Sequence, residues 1–135
     1  MSTSETITKT DLKNILDEVL PSCAVDYVVE QGTSGDWKYR KWNSGKAEAW
    51  VNSSATIAIS TASGSIYFGN TSISIPSAIG FLTITHANIE YVGAEGTWTK
   101  LTSRSTSAIS FSFASSISRS SSARTICGYV VGTWK

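Results

Sequence analysis

Two hydrophobic periods divide the chain. From Thr8 to Leu20, the apolar residues Leu12, Ile15, Leu16, Val19 and Leu20 recur at three- and four-residue spacing and form one stripe of an amphipathic helix. Thr8-Lys9-Thr10-Asp11 has the form of a capping box, in which a hydroxyl and a carboxylate satisfy the first backbone donors reciprocally. Ile7 and Leu12 stand where a hydrophobic staple would, and Pro21 marks the stop. A helix of about a dozen residues is marginal alone in water, so the stripe needs a cover. Two covers are open: the chain's own β domain, or a short parallel bundle with neighbouring copies. The width of the stripe and its terminal position favour the bundle, with Ile7, Leu12, Ile15, Leu16 and Val19 as the oligomerisation seam.

From Cys23 onward the period is two. Val25, Tyr27 and Val29 alternate with Ala24, Asp26 and Val28, and Trp37, Tyr39 and Lys41 alternate with Lys38, Arg40 and Trp42. Asn43-Ser44-Gly45 signals a hairpin turn with a return strand at 46–51. Further strands are predicted at 55–61, 65–68, 71–75, 80–91, 96–101, 108–113 and 124–134, punctuated by glycines. In the serine-rich stretch 103–124, Ile109, Phe111 and Phe113 face one way and Ser110 and Ser112 the other. That pattern is a half-buried strand followed by a loop around Arg119–Ser122, not a low-complexity tail. The expected fold is therefore all-β. Short strands with frequent turns suit a sandwich or a barrel, and the preferred form is an antiparallel β-sandwich head, jelly-roll-like, at 22–135, preceded by a short attachment and oligomerisation helix at 1–21. Sheet edges rich in Ile, Ser and Thr would invite edge pairing.

Composition sharpens this picture. Serine and threonine supply about 30 % of the chain, which on its own would suggest disorder. Five Trp, five Tyr and four Phe argue instead for a folded β protein with hydroxyls on its solvent faces. The net charge is +1 with no basic block, so no nucleic-acid partner is expected, and no apolar run is long enough for a membrane span. The polar start lacks the pattern of a signal peptide, which points to synthesis in a cytosol. Cys23 and Cys127 are too few for a disulfide scaffold; they read as reduced and largely buried, with a bridge between them left open.

Catalytic chemistry is thin. His86, the sole histidine, reads as structural or solvent-facing, and no nucleophile-elbow pattern accompanies it. Glu90 and Glu95 could form a glycosidase pair, but a polar hairpin loop accounts for them better. Asp26 and Glu30 share a strand face and suit either surface acids or an ion-pair set with Lys38 and Arg40. One His and two distant Cys do not make a zinc site, so no metal and no cofactor is expected. Aromatic rings are the suggestive group, because flat rings stack on the apolar faces of sugars. Tyr67, Tyr91 and Trp98, near predicted turns, are the ligand-contact candidates. Trp37, Tyr39, Trp42 and Trp50 are assigned to the core or to a subunit interface. Thr-x-Thr-like rows at 72–74 and 83–85 have no fixed period, which removes an ice-binding reading.

The stretch Thr33–Trp50, reading TSGDWKYRKWNSGKAEAW, resembles a motif of bacteriophage and prophage tail-fibre and receptor-binding proteins, and the ending GYVVGTWK resembles their closing strand. Ala49 stands where the family often has Cys. The resemblance implies a homotrimer, a stem leading into a β-sandwich head, residence in the virion after synthesis in the host bacterial cytoplasm, and a bacterial surface glycan as partner. Other virion proteins of tail, baseplate or capsid would meet the helix. Three functions remain open from sequence: a receptor-binding fibre tip acting by multivalent adhesion, a head-fibre or capsid decoration protein, and, remotely, a glycan hydrolase.

Overall fold

The computed structural model describes residues 8–22 and 25–135, with residues 16–22 as helical backbone only. Helix α1 spans Lys9–Ser22. Its start is the expected capping box: the Asp11 amide donates to Thr8 Oγ1 at 3.1 Å, while Asp11 Oδ2 accepts from the Thr8 amide at 3.2 Å and the Thr8 hydroxyl at 2.8 Å. These bonds hold the Asp11 carboxyl below the usual carboxylate range, the Thr8 hydroxyl first among them. Pro21 falls inside the last turn, one residue before the helix ends. Leu12 and Ile15 are 52 % and 48 % exposed, so the described part of the stripe is not covered by the chain's own sandwich. Ile7, Cys23 and the side chains of Leu16 and Val19 lie outside the described residues.

Among the described residues nine strands follow: β1 Val28–Ser34, β2 Trp37–Trp42, β3 Lys46–Ile59, β4 Thr61–Ser63, β5 Ile66–Ser74, β6 Thr83–Val92, β7 Thr97–Arg104, β8 Ala108–Ser115 and β9 Arg119–Thr133. All pair antiparallel, in one sheet ordered β1-β2-β3-β9-β6 (sheet A) and a second ordered β4-β5-β8-β7 (sheet B). Alternation sends Val51, Ile57, Ala87, Ile89, Ile126 and Val130 of sheet A inward against Ile109, Phe111 and Phe113 of sheet B, which makes a two-sheet sandwich with one core. Ile75, Ile79 and Phe81, around a short 3-10 turn at Ser77–Ile79, close one end of that core.

The structure merges elements the pattern had separated. β3 is one 14-residue strand through Asn52–Ser54, and β5 runs unbroken through Gly69–Asn70. β9 begins at Arg119, so the expected loop over 119–122 is strand, paired with the far end of β3. Its small serines were read as loop residues because they carry no apolar alternation. Residues 80–82, expected in a strand, lead into β6 instead. In the second half of its length β3 crosses beside β5, and Gly69 is required there: a Cβ would lie 2.0 Å from the Ala58 carbonyl oxygen. Gly132 is tied down similarly, its Cβ position 1.9 Å from the Thr83 carbonyl oxygen.

The outermost strands are interrupted or short. β1, β6 and β7 each carry a register shift, at Val28/Glu30, Ile84/His86 and Leu101/Ser103, and β4 is only three residues long, leaving β5 beyond Phe68 without a strand partner on that side. Bulged or short edges are poor templates for another strand, which weakens the argument for association by pairing those strands.

Phe111 and Phe113 are fully buried and meet edge-on, centroids 5.5 Å apart. Phe111→Ala should cost about 3–5 kcal/mol, as large core truncations do. Gly69→Ala, which removes no contact, should still cost about 1–3 kcal/mol through backbone displacement. Urea unfolding midpoints of the two variants check both values.

Candidate functional site

The three ring candidates do not share a surface. Tyr67 and Tyr91 are half-buried and pack against the core, Tyr91 edge-on to Phe113 at 5.7 Å and 73°. Trp98 alone stands out, 52 % exposed on the outer face of sheet B. The register shows what flanks it. Ala114 on β8 pairs with Trp98 on one side and Phe68 on the other; two residues along, Ser112 pairs with Lys100 and Asn70. Strands lie about 4.8 Å apart, so the two flanks stand roughly 9–10 Å from each other across β8. Small residues floor the gap. The result is a narrow trough with an aromatic rung, Phe68–Ala114–Trp98, and a polar rung, Asn70–Ser112–Lys100, whose floor the flanking side chains leave only 4 % (Ala114) and 5 % (Ser112) exposed. Sequence reading missed Phe68, Asn70 and Lys100. Alternation within β5 and β7 could have put them on outer faces, but only the register brings them together.

The trough lies toward one end of the sandwich. α1 leads into the other end, where the Asn43 amide donates to the Tyr27 carbonyl at 2.9 Å and Asp26 holds the Ser44 amide at 2.9 Å and, more closely, its hydroxyl. At the far end, the β4–β5 turn, the β6–β7 loop and the β8–β9 connection come together. There Glu95 accepts from Arg124 Nε at 3.0 Å and faces Arg119 Nη1 at 3.7 Å, while the Arg119 Nε donates to buried Ser115 at 3.4 Å. Arg124 is 3 % exposed and also donates to the carbonyls of Ile57, Ser122 and Ser120. A guanidinium so completely paired fastens the β6–β7 loop beside Trp98 to sheet A, and Arg119 extends the tie to Ser115 of sheet B.

The four motif aromatics separate. Trp37 is in the core at 5 % exposure and Tyr39 packs against it, but Trp42 and Trp50 face outward on sheet A, where the core assignment fails. They fall on the other parity from Trp37, so the core cannot take both sets. On that face, Lys46 Nζ, the Trp42 ring, the Arg40 guanidinium and the Trp50 ring form a ladder, with cation-to-centroid distances of 4.6, 5.3 and 5.2 Å. Arg40 Nε and Nη2 both donate to Glu48 Oε1, at 3.0 and 2.6 Å, and the Tyr129 hydroxyl donates to Glu48 Oε2 at 2.6 Å. Glu48 thereby lies only 8 % exposed on an outward face, with both oxygens engaged. The bond to Glu48 is the main reason the Tyr129 phenol is pushed up to about 12; burial and the carboxylate's charge add to it.

Other acids find partners that spacing did not predict. Glu30 pairs with Lys41 at 3.0 Å and accepts from the Tyr39 hydroxyl at 3.2 Å, which holds its carboxyl below the usual range, Lys41 contributing most. Asp26 serves the Ser44 turn, and its carboxyl is likewise lowered, chiefly by the Ser44 hydroxyl. The expected partners Lys38 and Arg40 take neither acid. Lys41 itself is buried, its ammonium over the Tyr39 and Trp134 rings at 5.6 and 5.5 Å. Glu90 faces outward from β6 opposite Cys127, whereas Glu95 is held by the two arginines. His86 is exposed at the β6 bulge. Cys127 is a free, half-buried thiol on β9, less enclosed than expected. Among the described residues, no three His, Cys, Asp or Glu side chains gather as metal ligands, and no helix is long and apolar enough to cross a membrane. No family model, curated protein or solved structure matches the chain.

A phenol whose folded pKa is raised contributes its stability fully below its unfolded value, near 10, and loses it as pH climbs through about 12. Absorbance titration should therefore contain a tyrosinate step near pH 12 that vanishes in Tyr129→Phe. That variant should also lose less stability than the parent between pH 10 and 12.

Proposed function

We propose that the chain is a bacteriophage virion protein, a tail-fibre or receptor-binding tip that attaches to a bacterial surface glycan. The observation that carries this reading is the trough between Phe68 and Trp98, presented at the end of the sandwich opposite the helix. An exposed indole beside the Asn70 amide and the Lys100 ammonium supplies the stacking plane and the hydrogen-bonding rim that a sugar needs. The resemblance of Thr33–Trp50 to the tail-fibre motif supports the same assignment.

The helix fits a stem. Its uncovered Leu12 and Ile15 suit a parallel bundle with two further copies of this chain, giving a homotrimer whose helices also meet tail, baseplate or capsid proteins. In the head, β3, β9 and β6 lie side by side in one sheet and β5, β8 and β7 in the other. This order supports a jelly roll that lacks one pair of strands. Adhesion then works by number: several weak sites on one trimer, and several trimers per particle, multiply residence without any single tight contact.

Trp98→Ala should lower binding of the full chain to isolated host cell-wall glycan at least tenfold and leave the thermal midpoint within about 2 °C, since an exposed ring is removed. A protein that holds no glycan at high valency and labels the capsid of intact particles would be a decoration protein, and the tip assignment would fall. Leu12→Asp with Ile15→Asp should convert the trimer to monomer by light scattering and abolish avidity while single-head affinity stays. A wild-type chain that is already monomeric overturns the stem.

A further inference from the structure

We propose a second ligand site on the outer face of sheet A, independent of the trough, which takes an acidic sugar: a pyranose carrying a carboxylate or phosphate group. A depression of about 400 Å³ opens there between β1, β2 and β3, lined by Gln31, Thr33, Lys38, Tyr39, Arg40 and Trp50. Its volume is in the range of small-ligand sites.

Three features select the ligand. The first is a ring with room to stack. Trp42 has a cation at both neighbouring positions, Arg40 and Lys46, whereas Trp50 has only Arg40 and lines the depression. The second is charge. Arg40 is balanced by Glu48, but Lys38, exposed on the rim beside it, makes no ion pair among the described residues. The depression therefore carries one uncompensated positive charge next to a guanidinium that is 45 % exposed. An oxyanion satisfies both at once. The third is the far rim, where the Thr33 hydroxyl and Gln31 amide face Lys38 and Arg40 across the β1–β2 ladder and can bond sugar hydroxyls.

The site is also rigid before ligand arrives. Arg40 is held between two indoles and by two bonds to Glu48, and Glu48 is fixed in turn by Tyr129. Little side-chain freedom remains to be lost on binding, which is the usual cost of recruiting an arginine.

The test is an amide and indole NMR titration of the full chain with sodium glucuronate, glucose 1-phosphate and, as neutral control, glucose. The expected result is shifts confined to residues 31–33, 38–40 and the Trp50 indole with at least one acidic sugar; which of the two acts tells carboxylate from phosphate. Glucose should bind at least three- to fivefold more weakly. Lys38→Gln should lose the same factor with an unchanged thermal midpoint, and Trp98→Ala should bind the acidic sugar like the parent. Equal binding of glucose, full affinity in Lys38→Gln, or identical shifts with inorganic phosphate alone each overturn the proposal. Loss of glycan binding in Trp98→Ala with these shifts intact would separate the two faces, and failure at one leaves the other standing.

Discussion

The pairing of β3 with β9 is the constraint on which the rest depends. It runs from Lys46↔Thr133 to Ile59↔Arg119, longer than any other ladder in the molecule, and lies in the middle of sheet A. Its register decides both faces at once. Ala49↔Val130 and Val51↔Gly128 point into the core, and alternating with them Glu48↔Val131 and Trp50↔Tyr129 point out. A slip of one residue would either bury Glu48 and Trp50 of β3 or expose Ile126 and Val130 of β9. The core therefore enforces the outer network: the Arg40–Glu48–Tyr129 contacts exist because inward apolar residues lock the strands that carry them.

The same ladder explains a buried arginine. Ala55↔Arg124 falls on the inward parity, so β9 sends a guanidinium between the sheets near the end away from the helix. Such a charge is tolerable only when every donor finds an acceptor. Three backbone carbonyls and Glu95 supply them. Loop 93–96 thus becomes a structural part of the sandwich. Trp98, which follows it by two residues, inherits a fixed position from a contact made in the core.

How much of this was readable depended on whether the signal was local. The capping box at Thr8–Asp11 is four residues of self-contained chemistry, and the alternation Ile109-Phe111-Phe113 announces a half-buried strand without any partner. Both were legible. The boundaries of β3 and β9 were not, because Asn52–Ser54 and Arg119–Ser122 are small and polar and are strand only through mutual pairing. Tyr67, Tyr91 and Trp98 looked equivalent near predicted turns, yet strand parity sends two of them to the core and one to solvent. Trp42 and Trp50 misled in the opposite sense: indoles usually dominate β cores, but here cations stacked on their faces make an outward position stable. The partners of Trp98 were unreadable for a simpler reason. Phe68, Ala114 and Trp98 are far apart in sequence and meet only through two strand registers.

The outermost strands bear on how such a head would work in numbers. With bulges on β1, β6 and β7 and only three residues in β4, the outermost strands offer no long flat row of unpaired groups, so heads brought close together have little tendency to fuse through them into one continuous sheet. Association then falls to exposed apolar side chains near the entry of the chain into the head: Leu12 and Ile15 of the helix, with Val25, Tyr27, Val28 and Val29 before and on β1. That division has a consequence for the proposed attachment role. Heads that stay separate on a shared stem can each meet a different sugar of a repeating polymer, and the effective concentration of the second contact is set by their spacing, not by any new interface. Rigid sites lose little entropy when each contact forms. Modest affinity per face is therefore compatible with firm attachment, provided that the stem holds and the heads do not merge.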